Sequence, residues 1–450
     1  MNGALRLTVL GAGYLGITHA ACMASLGFEV LGVDTDERKA GKLNAGRLPI
    51  YEPGLEELLR AGLGAGRLRF TTSYAEAAAF GDVHFICTGT PQQPGSDRAD
   101  TSQVHACVAT LAPLLHRPCL VVGKSTVPVG TARRLASGLG HACPGAELAW
   151  NPEFLREGTA VADTLSPDRI VAGVTSGRAE AILRQVYARP VAAGTPFIVT
   201  SLETAELAKT AANAFLATKI SFINAMAEVC EGAGGDVRAL ARILGADPRI
   251  GGSFLRAGLG FGGGCLPKDI RAFAARASEL GAGQALAFLR EVDAINLRRR
   301  VRTADLALEL AGGSLAGVPV CALGAAFKPG SDDVRDSPAL DVAQILTGMG
   351  ARVTVHDPAA LPAARRARPE LTYARTLAGA VRGAHVVLLL TEWPEFTALT
   401  PGDLSPLVAR RNIVDARGAL DPVPWQRHGW RYRALGMAEG AAAAMRAATR

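Results

Sequence analysis

One cysteine of this 450-residue sequence lies where a reactive thiol would be expected, at the end of a glycine-rich stretch. The stretch Gly258–Phe273 reads GLGFGGGCLPKDIRAF and holds five glycines ahead of Cys265. Because proline suits the first turn of a helix, Pro267 predicts that Cys265 lies at or just before a helix N-terminus. Unpaired N–H groups and the helix dipole stabilise a thiolate at such a position. Cys265 is therefore a candidate nucleophile, and an inert loop cysteine is the alternative.

Three pairs of polar residues share a four-residue spacing and could together serve carbonyl chemistry. The pairs are Cys265 with Asp269, Lys209 with Asn213 in AKTAANAF, and Glu153 with Glu157 in NPEFLREG. Lys209 and Asn213 fall on one face of a predicted helix. A thiol can capture an aldehyde, and an ammonium group with an amide can stabilise the alkoxide that develops. Each pair alone is also compatible with a solvated surface or a helix cap.

A second glycine pattern predicts a dinucleotide site near the N-terminus. Gly11, Gly13 and Gly16 form G-x-G-x-x-G after the apolar run Leu5–Leu10, and Asp34 follows 18 residues after Gly16 at the end of a second predicted strand. In this context the glycines let the backbone approach a pyrophosphate at a helix N-terminus. A carboxylate at that strand end accepts ribose hydroxyls and repels a 2′-phosphate, which favours NAD over NADP. A purely structural glycine turn is the alternative.

The elements that must position these residues form three predicted segments. Residues 1–200 alternate strands and helices, which is typical of a parallel α/β sheet. Residues 201–311 lose that alternation, and we expect one long helix with Ser201 as its N-cap and Glu203 and Glu206 in its opening turns. Long helices of this kind often pair across a symmetry axis, which predicts a dimer.

The third segment, residues 312–450, returns to the pattern of the first. A strand, a helix and a strand ending in Asp357 repeat the order of residues 5–34, but the intervening loop AAFKPGSDDVRDSP is long and polar. We therefore predict a second doubly wound domain that binds something other than a dinucleotide pyrophosphate in the usual way. The fold class is α/β, with two doubly wound, Rossmann-like parallel-sheet domains joined by a long-helix central domain. The last residues, 437–450, are of low complexity and could form a frayed helix.

Composition excludes several functional classes. The chain is 49% hydrophobic and 20% charged, its net charge is +7, and no apolar run is long enough to span a bilayer. The basic excess is compatible with a solvated surface or with attraction of phosphorylated substrates, whereas sparse aromatic residues argue against nucleic-acid binding. Eight scattered cysteines form no C-x-x-C pair, so neither a metal site nor a disulfide framework is indicated. With no signal-peptide pattern, a reduced cytoplasm is expected.

The ordered motifs resemble the UDP-glucose/GDP-mannose dehydrogenase family over nearly the whole chain. The matching motifs are GAGYLG, PIYEPGLEELL, GTP, KSTVPVGT, NPEFLREG, ELAKTAANAFLA, RIGGSFLRAGLGFGGGCLPKD, GAAFKPGSDDVRDSP and VDARG. The resemblance implies NAD-dependent, four-electron oxidation of the C6 hydroxyl of a nucleotide sugar, with two NAD per turnover. UDP-glucose, giving UDP-glucuronate, is the expected substrate, with GDP-mannose and TDP-glucose as alternatives. The aldehyde would be captured by Cys265, oxidised to a thioester and hydrolysed.

The resemblance also assigns expected roles to individual residues. The catalytic set is Cys265 as nucleophile, Lys209, Asn213 and Asp269 for oxyanion charge and the activated water, Glu153 as acid/base, and Glu157 and Thr126 in the same pocket. The cofactor set is Gly11, Gly13, Tyr14, Leu15, Gly16, Asp34, Lys39, Thr90, Thr126, Glu157, Lys268 and Arg335. The substrate set is Glu153, Phe154, Leu155, Lys209, Asn213, Arg249, Phe254, Arg256, Phe261, Gly262, Lys328 and Arg417. Arg249 matches an arginine that reaches the neighbouring subunit's sugar, so a homodimer with a shared site, or a higher oligomer, is expected.

Three positions depart from the common family spelling. Gly264 stands where many relatives have serine, Leu266 where phenylalanine is common, and Asp336 where glutamate is common. The histidine that tends to precede the cysteine in relatives acting on N-acetylated hexosamines is absent. Two competing functions remain, a two-electron hydroxyacid dehydrogenase and an inactive NAD-binding scaffold or sensor. The yield of NADH per sugar, two, one or none, distinguishes the three readings.

Overall fold

The computed structural model describes residues 5–438, so most of the low-complexity segment 437–450 lies outside the described residues. The chain forms two compact units. The first comprises Met1–Ala212 with Arg271–Gly283, and the second comprises Asn213–Ile270 with Gln284–Arg450. The residues predicted as a central helical domain are distributed between these units, and the three-domain boundaries stay a prediction.

The first unit is built on an eight-stranded sheet in the order β3-β2-β1-β4-β5-β6-β7-β8. Its strands are β1 (Arg6–Leu10), β2 (Glu29–Val33), β3 (Leu68–Thr71), β4 (Val83–Ile86), β5 (Cys119–Gly123), β6 (Ala146–Trp150), β7 (Ile170–Gly173) and β8 (Phe197–Thr200). All neighbours pair in parallel except β6 and β7, which meet antiparallel at Trp150 and Gly173. The parallel sheet that the alternation predicted is therefore confirmed, with one antiparallel junction that it did not indicate.

Helices cover both faces of this sheet, and two apolar clusters form the core, one on each side. The helices are α1 (Tyr14–Ser25), α2 (Glu37–Asn44), α3 (Leu55–Gly64), α4 (Tyr74–Phe80), α5 (Ser102–Leu111), α6 (Thr131–Ala142), α7 (Ala160–Leu165), α8 (Gly177–Val186) and α9 (Ala188–Ala192), with a 3₁₀ turn at Ala112–Leu114. Strand β5 is buried at every position, which is why it reads as a continuous apolar run. The strand order reverses between β1 and β4, which places a crevice at the carboxyl ends of those strands.

Four further helices follow the first sheet along the chain. They are α10 (Leu202–Ala233), α11 (Val237–Gly245), α12 (Leu266–Glu279) and α13 (Phe288–Ala311), with a 3₁₀ turn at Gly283–Leu286. The predicted long helix is confirmed, and Ser201 Oγ accepts the Thr204 N–H at 3.2 Å, as expected of its N-cap. Glu203 and Glu206 both lie in the first two turns, but Glu206 is buried and not a solvated partner of the helix dipole.

The second unit contains a six-stranded, all-parallel sheet in the order β11-β10-β9-β12-β13-β14. Its strands are β9 (Pro319–Leu323), β10 (Arg352–His356), β11 (Thr372–Tyr373), β12 (Val386–Leu389), β13 (Asn412–Asp415) and β14 (Arg431–Ala434). Its remaining helices are α14 (Pro338–Gly348), α15 (Leu361–Ala367), α16 (Leu377–Val381), α17 (Pro394–Thr397), α18 (Pro401–Leu404) and α19 (Pro422–Arg427). The second doubly wound sheet is thus confirmed. Among residues 5–438, no helix is long and apolar enough to cross a membrane.

Candidate functional site

The glycine turn between β1 and α1 has the geometry that a pyrophosphate requires. Gly11 has φ +96°, and a Cβ built on Gly16 would lie 1.8 Å from the Gly11 carbonyl oxygen, so neither position accepts a side chain without strain. Gly13 is the N-cap of α1, makes no side-chain cap, and has open space where a Cβ would be. The backbone at this helix N-terminus is therefore accessible to a phosphate group, and the turn fits a dinucleotide.

Asp34 follows β2 directly and faces the same turn. Its Oδ2 accepts the Ala12 N–H at 3.0 Å and the Lys39 ammonium at 2.8 Å, while Oδ1 accepts the Asp36 N–H at 3.0 Å. The strand ends at Val33, one residue earlier than the sequence pattern indicated. Two predicted cofactor residues, Asp34 and Lys39, therefore form one ion pair at the carboxyl end of the strand.

Tyr14, in the first turn of α1, is bound to an acid that the sequence interpretation did not assign to the site. Its hydroxyl donates to Glu52, whose carboxylate also accepts the Gly158 and Ala160 N–H groups at 2.6 and 2.7 Å. Burial, and next Glu52 itself, raise the pKa of Tyr14 well above its usual value. Glu157 contributes to the same rise. Glu52 lies within PIYEPGLEELL, but only the structure shows that it is buried, so the sequence did not identify it as a site residue.

Glu153 and Lys209 form a buried ion pair in the first unit. Their closest atoms, Oε1 of Glu153 and Nζ of Lys209, are 2.9 Å apart, with side-chain exposures of 13% and 6%. Oε2 of Glu153 accepts the Leu155 N–H at 2.7 Å, and the Lys209 ammonium lies 5.8 Å from the centre of the Phe154 ring. The structure therefore brings together four residues of the predicted substrate set.

Two of the other predicted residues of this unit lie on loops that follow strands, and a third lies in a helix. Thr90 is buried after β4, Thr126 is half-buried after β5, and Leu15 is half-buried in α1. Residues 151–156 are irregular, so Glu153 and Glu157 are not related by a helical turn. Their four-residue spacing therefore does not place them on one helix face.

In the second unit, Cys265 immediately precedes α12, as Pro267 predicted. The Asp269 N–H donates to the Cys265 carbonyl oxygen at 3.0 Å, which closes the first turn of the helix. Asp269 is buried, and its Oδ2 accepts the Asn213 amide N–H at 2.7 Å while Oδ1 is bound by Lys268. The Cys265 residue itself is exposed. The first turn of α12 therefore carries a buried carboxylate bound by an amide, and the exposed cysteine directly precedes it.

Cys265 differs from every other cysteine of the chain. The other seven, Cys22, Cys87, Cys107, Cys119, Cys143, Cys230 and Cys321, are buried, and no cysteine forms a disulfide. Burial raises the thiol pKa of Cys22 and Cys87 to about 12. Within residues 5–438, no group of three or more His, Cys, Asp and Glu residues could hold a metal ion.

The glycine loop ahead of Cys265 is pressed against the chain of its own unit. A Cβ at Gly262 would lie 2.2 Å from the Asp336 carbonyl oxygen, and one at Gly264 would lie 2.1 Å from the Arg335 guanidinium carbon. Gly263 has φ +84°. The close packing of residues 335 and 336 explains why side chains are absent here.

Asn296 and Arg417 hold the first half of this loop. The Asn296 amide donates to the Phe261 carbonyl oxygen at 2.9 Å and accepts the Phe261 N–H at 2.7 Å. The Arg417 guanidinium donates to carbonyl oxygens of Leu390 and Gly260 at 2.7 and 3.2 Å. Asn296 was missed because it lies on α13, 35 residues from the loop, with no recognisable motif.

Two predicted site arginines share a local arrangement. Arg249 and Arg335 each donate their backbone N–H and guanidinium to an aspartate two residues upstream, Asp247 and Asp333, at 2.6–3.2 Å. The Arg249 side chain is 88% exposed. In both cases the aspartate holds the arginine by local hydrogen bonds.

The remaining predicted substrate residues lie on two loops of the second unit. Phe254 is exposed with φ 65°, an uncommon conformation for an aromatic residue, and Arg256 is exposed in the same loop between α11 and α12. Lys328 lies in the β9–α14 loop with its ammonium 5.4 Å from the Phe327 ring centre. Both loops therefore offer cationic groups on irregular backbone.

The aspartate after β10 differs from its counterpart in the first unit. Asp357 is buried and its carboxylate accepts N–H groups of Ala325, Ala326 and Ala360 at 2.8–3.0 Å, and the Trp393 indole N–H at 3.1 Å. Chain donors surround this carboxylate, whereas Asp34 is only partly buried. The β9–α14 turn therefore differs from the β1–α1 turn, because the carboxylate beside it is already bound by donors of the chain.

Comparison with known proteins shows that three consecutive parts of the chain match one protein family. Residues 5–191, 203–298 and 321–422 match the NAD binding, central and UDP binding domains of the UDP-glucose/GDP-mannose dehydrogenase family. UDP-glucose 6-dehydrogenase of Rhizobium meliloti (strain 1021) is 40% identical over 436 residues, covering 96% of this chain and 99% of the relative. UDP-glucose 6-dehydrogenase of Pseudomonas aeruginosa is 41% identical over 450 residues, covering 96% and 97%.

Solved structures are similar over the same length. A UDP-glucose dehydrogenase from Pyrobaculum islandicum has a TM-score of 0.88 and 39% identity, covering 97% of this chain and 98% of that one. A UDP-D-ManNAc dehydrogenase from Pyrococcus horikoshii has a TM-score of 0.84 and 27% identity, covering 96% and 99%.

Proposed function

The chain belongs to the UDP-glucose/GDP-mannose dehydrogenase family and is an NAD-dependent oxidoreductase; on this premise we propose that it oxidises the C6 hydroxyl of UDP-glucose to the carboxylate of UDP-glucuronate. The reaction is a four-electron oxidation that consumes two NAD per sugar. GDP-mannose and TDP-glucose are the alternative substrates for the same mechanism.

The observation that carries this proposal is the position of Cys265. An exposed thiol stands at the start of α12, and one turn on, the buried Asp269 is held by Asn213. A two-electron alcohol dehydrogenase needs no thiol, whereas oxidation beyond the aldehyde benefits from a covalent anchor. The seven other cysteines are buried, which makes Cys265 the thiol that a substrate could reach in this chain.

In the proposed reaction, the Cys265 thiol holds the substrate as a covalent intermediate. The alcohol is oxidised to an aldehyde, and the Cys265 thiol adds to its carbon to give a thiohemiacetal. Oxidation of the thiohemiacetal gives a thioester, and water displaces the thiol to give the carboxylate. NAD, held by the turn that contains Gly11, Gly13 and Gly16 and by Asp34, would supply the hydride acceptor for both oxidations, and each oxidation releases one proton. Cys265 is regenerated by hydrolysis.

Polar residues then have defined tasks. Lys209 and Asn213 stabilise the oxyanion that develops at C6, because an ammonium group and an amide donor are suited to that charge. Asp269 takes part in handling the oxyanion and the activated water. Glu153 acts as acid/base in thioester hydrolysis, and its pairing with Lys209 at 2.9 Å supports a shared task. Thr126 and Glu157 complete the pocket in this proposal.

Substrate choice rests on relatives and on the loop spelling. The relatives at about 40% identity are UDP-glucose 6-dehydrogenases, and residues 321–422 match a UDP binding domain. Gly264 precedes the cysteine without the histidine expected of N-acetylhexosamine relatives. Phe254, Arg256, Phe261, Gly262, Lys328 and Arg417 are proposed to contact the nucleotide sugar, and Lys268 and Arg335 to contact the cofactor.

The proposed enzyme is a cytoplasmic homodimer, or a higher oligomer built from it. Phe215, Phe222 and Val229 repeat every seven residues along α10 and are 66%, 48% and 59% exposed. Such a stripe matches the seam of a paired helix and would bury apolar area against a second copy of the same helix. Arg249 is proposed to reach the partner's sugar, and its exposed side chain is compatible with that role.

A panel of nucleotide sugars assayed for NADH release tests the proposal. UDP-glucose should give the highest kcat/KM and two NADH per sugar consumed. One NADH per sugar would indicate a two-electron dehydrogenase, and none with any nucleotide sugar would indicate a binding protein. A higher kcat/KM with GDP-mannose would overturn the substrate assignment and leave the reaction class intact.

A further inference from the structure

Lys124 is a buried lysine of the first unit that the proposed mechanism does not use. It follows β5, and its Nζ donates to Asn151 Oδ1 at 2.8 Å, lies 3.2 Å from the Tyr187 hydroxyl and lies 3.5 Å from the Asn151 carbonyl oxygen. The Tyr187 hydroxyl donates to the same Asn151 Oδ1 at 2.5 Å. The three side chains are all buried.

This network is costly and is not needed to join the strands. Strands β5 and β6 are already paired along their length, and the Asn151 N–H donates to the Gly123 carbonyl oxygen at 2.8 Å just beyond them. Burying an ammonium group costs its hydration free energy, and neutral oxygens offset this cost only in part. An apolar residue at the same place would not have this cost. A role in positioning would account for its presence.

The segment that Lys124 holds leads directly to Glu153. Asn151 is fixed from three sides, because its Nδ2 also donates to the Val171 carbonyl oxygen at 2.7 Å. Two residues later, Glu153 pairs with Lys209 at 2.9 Å. Lys124 is likewise two residues before Thr126, so one ammonium group ties the two loops that carry these predicted site residues.

A small cavity adjoins the same residues. It has a volume of about 50 Å³ and is lined in part by His19, Lys124, Asn151, Glu153 and Tyr187. Among the described residues, His19 Nε2 has no hydrogen-bond partner although it is buried. A cavity of this size, with Lys124, Asn151 and Glu153 in its wall, has room for about three waters. Ordered water would satisfy the imidazole and extend the network to Glu153.

We propose that Lys124, with Asn151 and Tyr187, is a positioning residue that sets the orientation of Glu153 toward Lys209. Water in the adjoining cavity completes the network. This inference rests on the proposed function in one respect, the acid/base task of Glu153. The positioning itself is a property of the free protein and is measurable without substrate.

Hydrogen–deuterium exchange of the free protein tests the positioning directly. In Lys124→Met, amides of residues 151–157 should exchange faster than in the wild type, and in Tyr187→Phe they should do so to a smaller extent. Lys42→Met, which removes an exposed lysine of α2, is the matched control and should leave this segment unchanged. Wild-type exchange of residues 151–157 in both Lys124→Met and Tyr187→Phe would overturn the inference. Tyr187→Phe keeps the test valid if Lys124→Met does not fold.

Kinetics separate this inference from the proposed function. In Lys124→Met, kcat should fall about 10–100-fold with the NAD dissociation constant unchanged, as small displacements of a catalytic group do. A burst of two NADH per site should precede the slow phase, because thioester hydrolysis becomes limiting. If the wild type releases two NADH per sugar and the variant keeps wild-type kcat without a burst, the positioning is wrong and the proposed function stands. If no nucleotide sugar is oxidised by the wild type, the proposed function fails and the exchange measurement still decides the inference.

Discussion

The ammonium group of Lys209 and the Glu153 carboxylate are held 2.9 Å apart in a pair that is almost wholly buried. Removing one partner of such a pair leaves the other charge buried without that counter-charge, which typically costs about 3–5 kcal/mol. In the proposed mechanism, a substrate oxyanion would share the ammonium group that Glu153 holds in the free protein.

Removing the thiol should abolish product formation. Cys265→Ser should lose UDP-glucuronate production by orders of magnitude while retaining NAD and UDP-glucose binding, because binding does not depend mainly on the sulfur. The measurements are NADH release and calorimetric titration of each ligand. Turnover near the wild-type rate would show that the thiol is structural.

The covalent intermediate should be visible when its hydrolysis is slowed. In Glu153→Gln, mass spectrometry should find the chain heavier by the acyl nucleotide sugar, attached at Cys265. Glu153→Gln combined with Cys265→Ser is the control and should carry no adduct. Absence of an adduct in the single variant during turnover would contradict the thioester mechanism.

NAD should be strongly preferred over NADP because of Asp34. A 2′-phosphate near this carboxylate would suffer like-charge repulsion, and we expect kcat/KM to favour NAD by about 100-fold or more. Asp34→Asn should reduce the preference, since Lys39, 2.8 Å from the carboxylate, would then be free to attract the phosphate. Lys39→Met is the comparison variant and should not increase the use of NADP. Equal kcat/KM for the two cofactors in the wild type would refute the role of Asp34.

The sequence predicted those features of the fold that depend on short-range patterns. The N-cap Ser201, the long helix α10 and the start of α12 after Cys265 each follow from residues within one or two turns. The antiparallel pairing of β6 with β7 has no comparable local signal.

Residues missed at the site are those whose environment is created by tertiary packing. Glu52 binds Tyr14 and accepts two N–H groups from residues 106 and 108 positions away in the sequence. Asn296, on α13, binds the backbone of Phe261, which is 35 positions away. Lys124 was within a recognised motif, yet only its burial distinguishes it from a solvated lysine. Polar side chains of this kind are recognisable only when their partners are known, because their own neighbours in sequence are unremarkable.

The apolar stripe on α10 should carry the dimer contact. Phe222→Glu should convert the dimer to monomer in analytical ultracentrifugation, because it places a charge in the seam formed by Phe215, Phe222 and Val229. Arg242→Glu on α11 is the surface control, because it exchanges one exposed charged residue for another. A buried position such as Phe70 is unsuitable as a control, because a charge there would unfold the core. A wild type that is monomeric at micromolar concentration would contradict the proposal.

A shared site predicts complementation between two inactive variants. Mixing Arg249→Ala subunits with Cys265→Ser subunits gives hybrid dimers in which one site retains both residues. Random mixing should restore about one quarter of wild-type activity, since half of the dimers are hybrid and each has one intact site. Hybrids that never exceed the parent activities would show that Arg249 does not act across the dimer.

Two neighbouring glycines should respond differently to added side chains. Gly262→Ala places a Cβ 2.2 Å from a backbone oxygen of Asp336, which cannot move alone, and should destabilise the protein by about 1–3 kcal/mol. Gly264→Ala meets only the flexible end of Arg335 and should cost much less. Thermal unfolding of both variants tests the difference. Equal losses of stability would show that the loop does not pack as described.

Glu206 is a buried carboxyl at the start of α10. Its two oxygens accept the Gly130 and Ala132 N–H groups at 2.7 and 2.6 Å, at the N-terminus of α6. Burial nevertheless raises the pKa of Glu206 to about 7. The folded state therefore retains a proton that the unfolded state has lost between about pH 4.5 and pH 7. Stability from this group is fully present below the unfolded pKa and is lost as pH rises through the folded pKa.

The expected loss across that window is about 3 kcal/mol, at roughly 1.4 kcal/mol for each unit by which the pKa is raised. Glu206→Gln cannot titrate, so the melting temperature of the wild type should fall relative to this variant by several degrees between pH 4.5 and pH 7.5. Glu203→Gln is the matched control on the same helix. Hydrogen bonds, the one from Arg133 first, lower the pKa of Glu203 below its usual value of 4.5. The stability that Glu203 contributes is therefore lost only as the pH falls below 4.5. If the difference between wild type and Glu206→Gln is constant with pH, the carboxyl is ionised throughout and the two backbone N–H groups outweigh its burial.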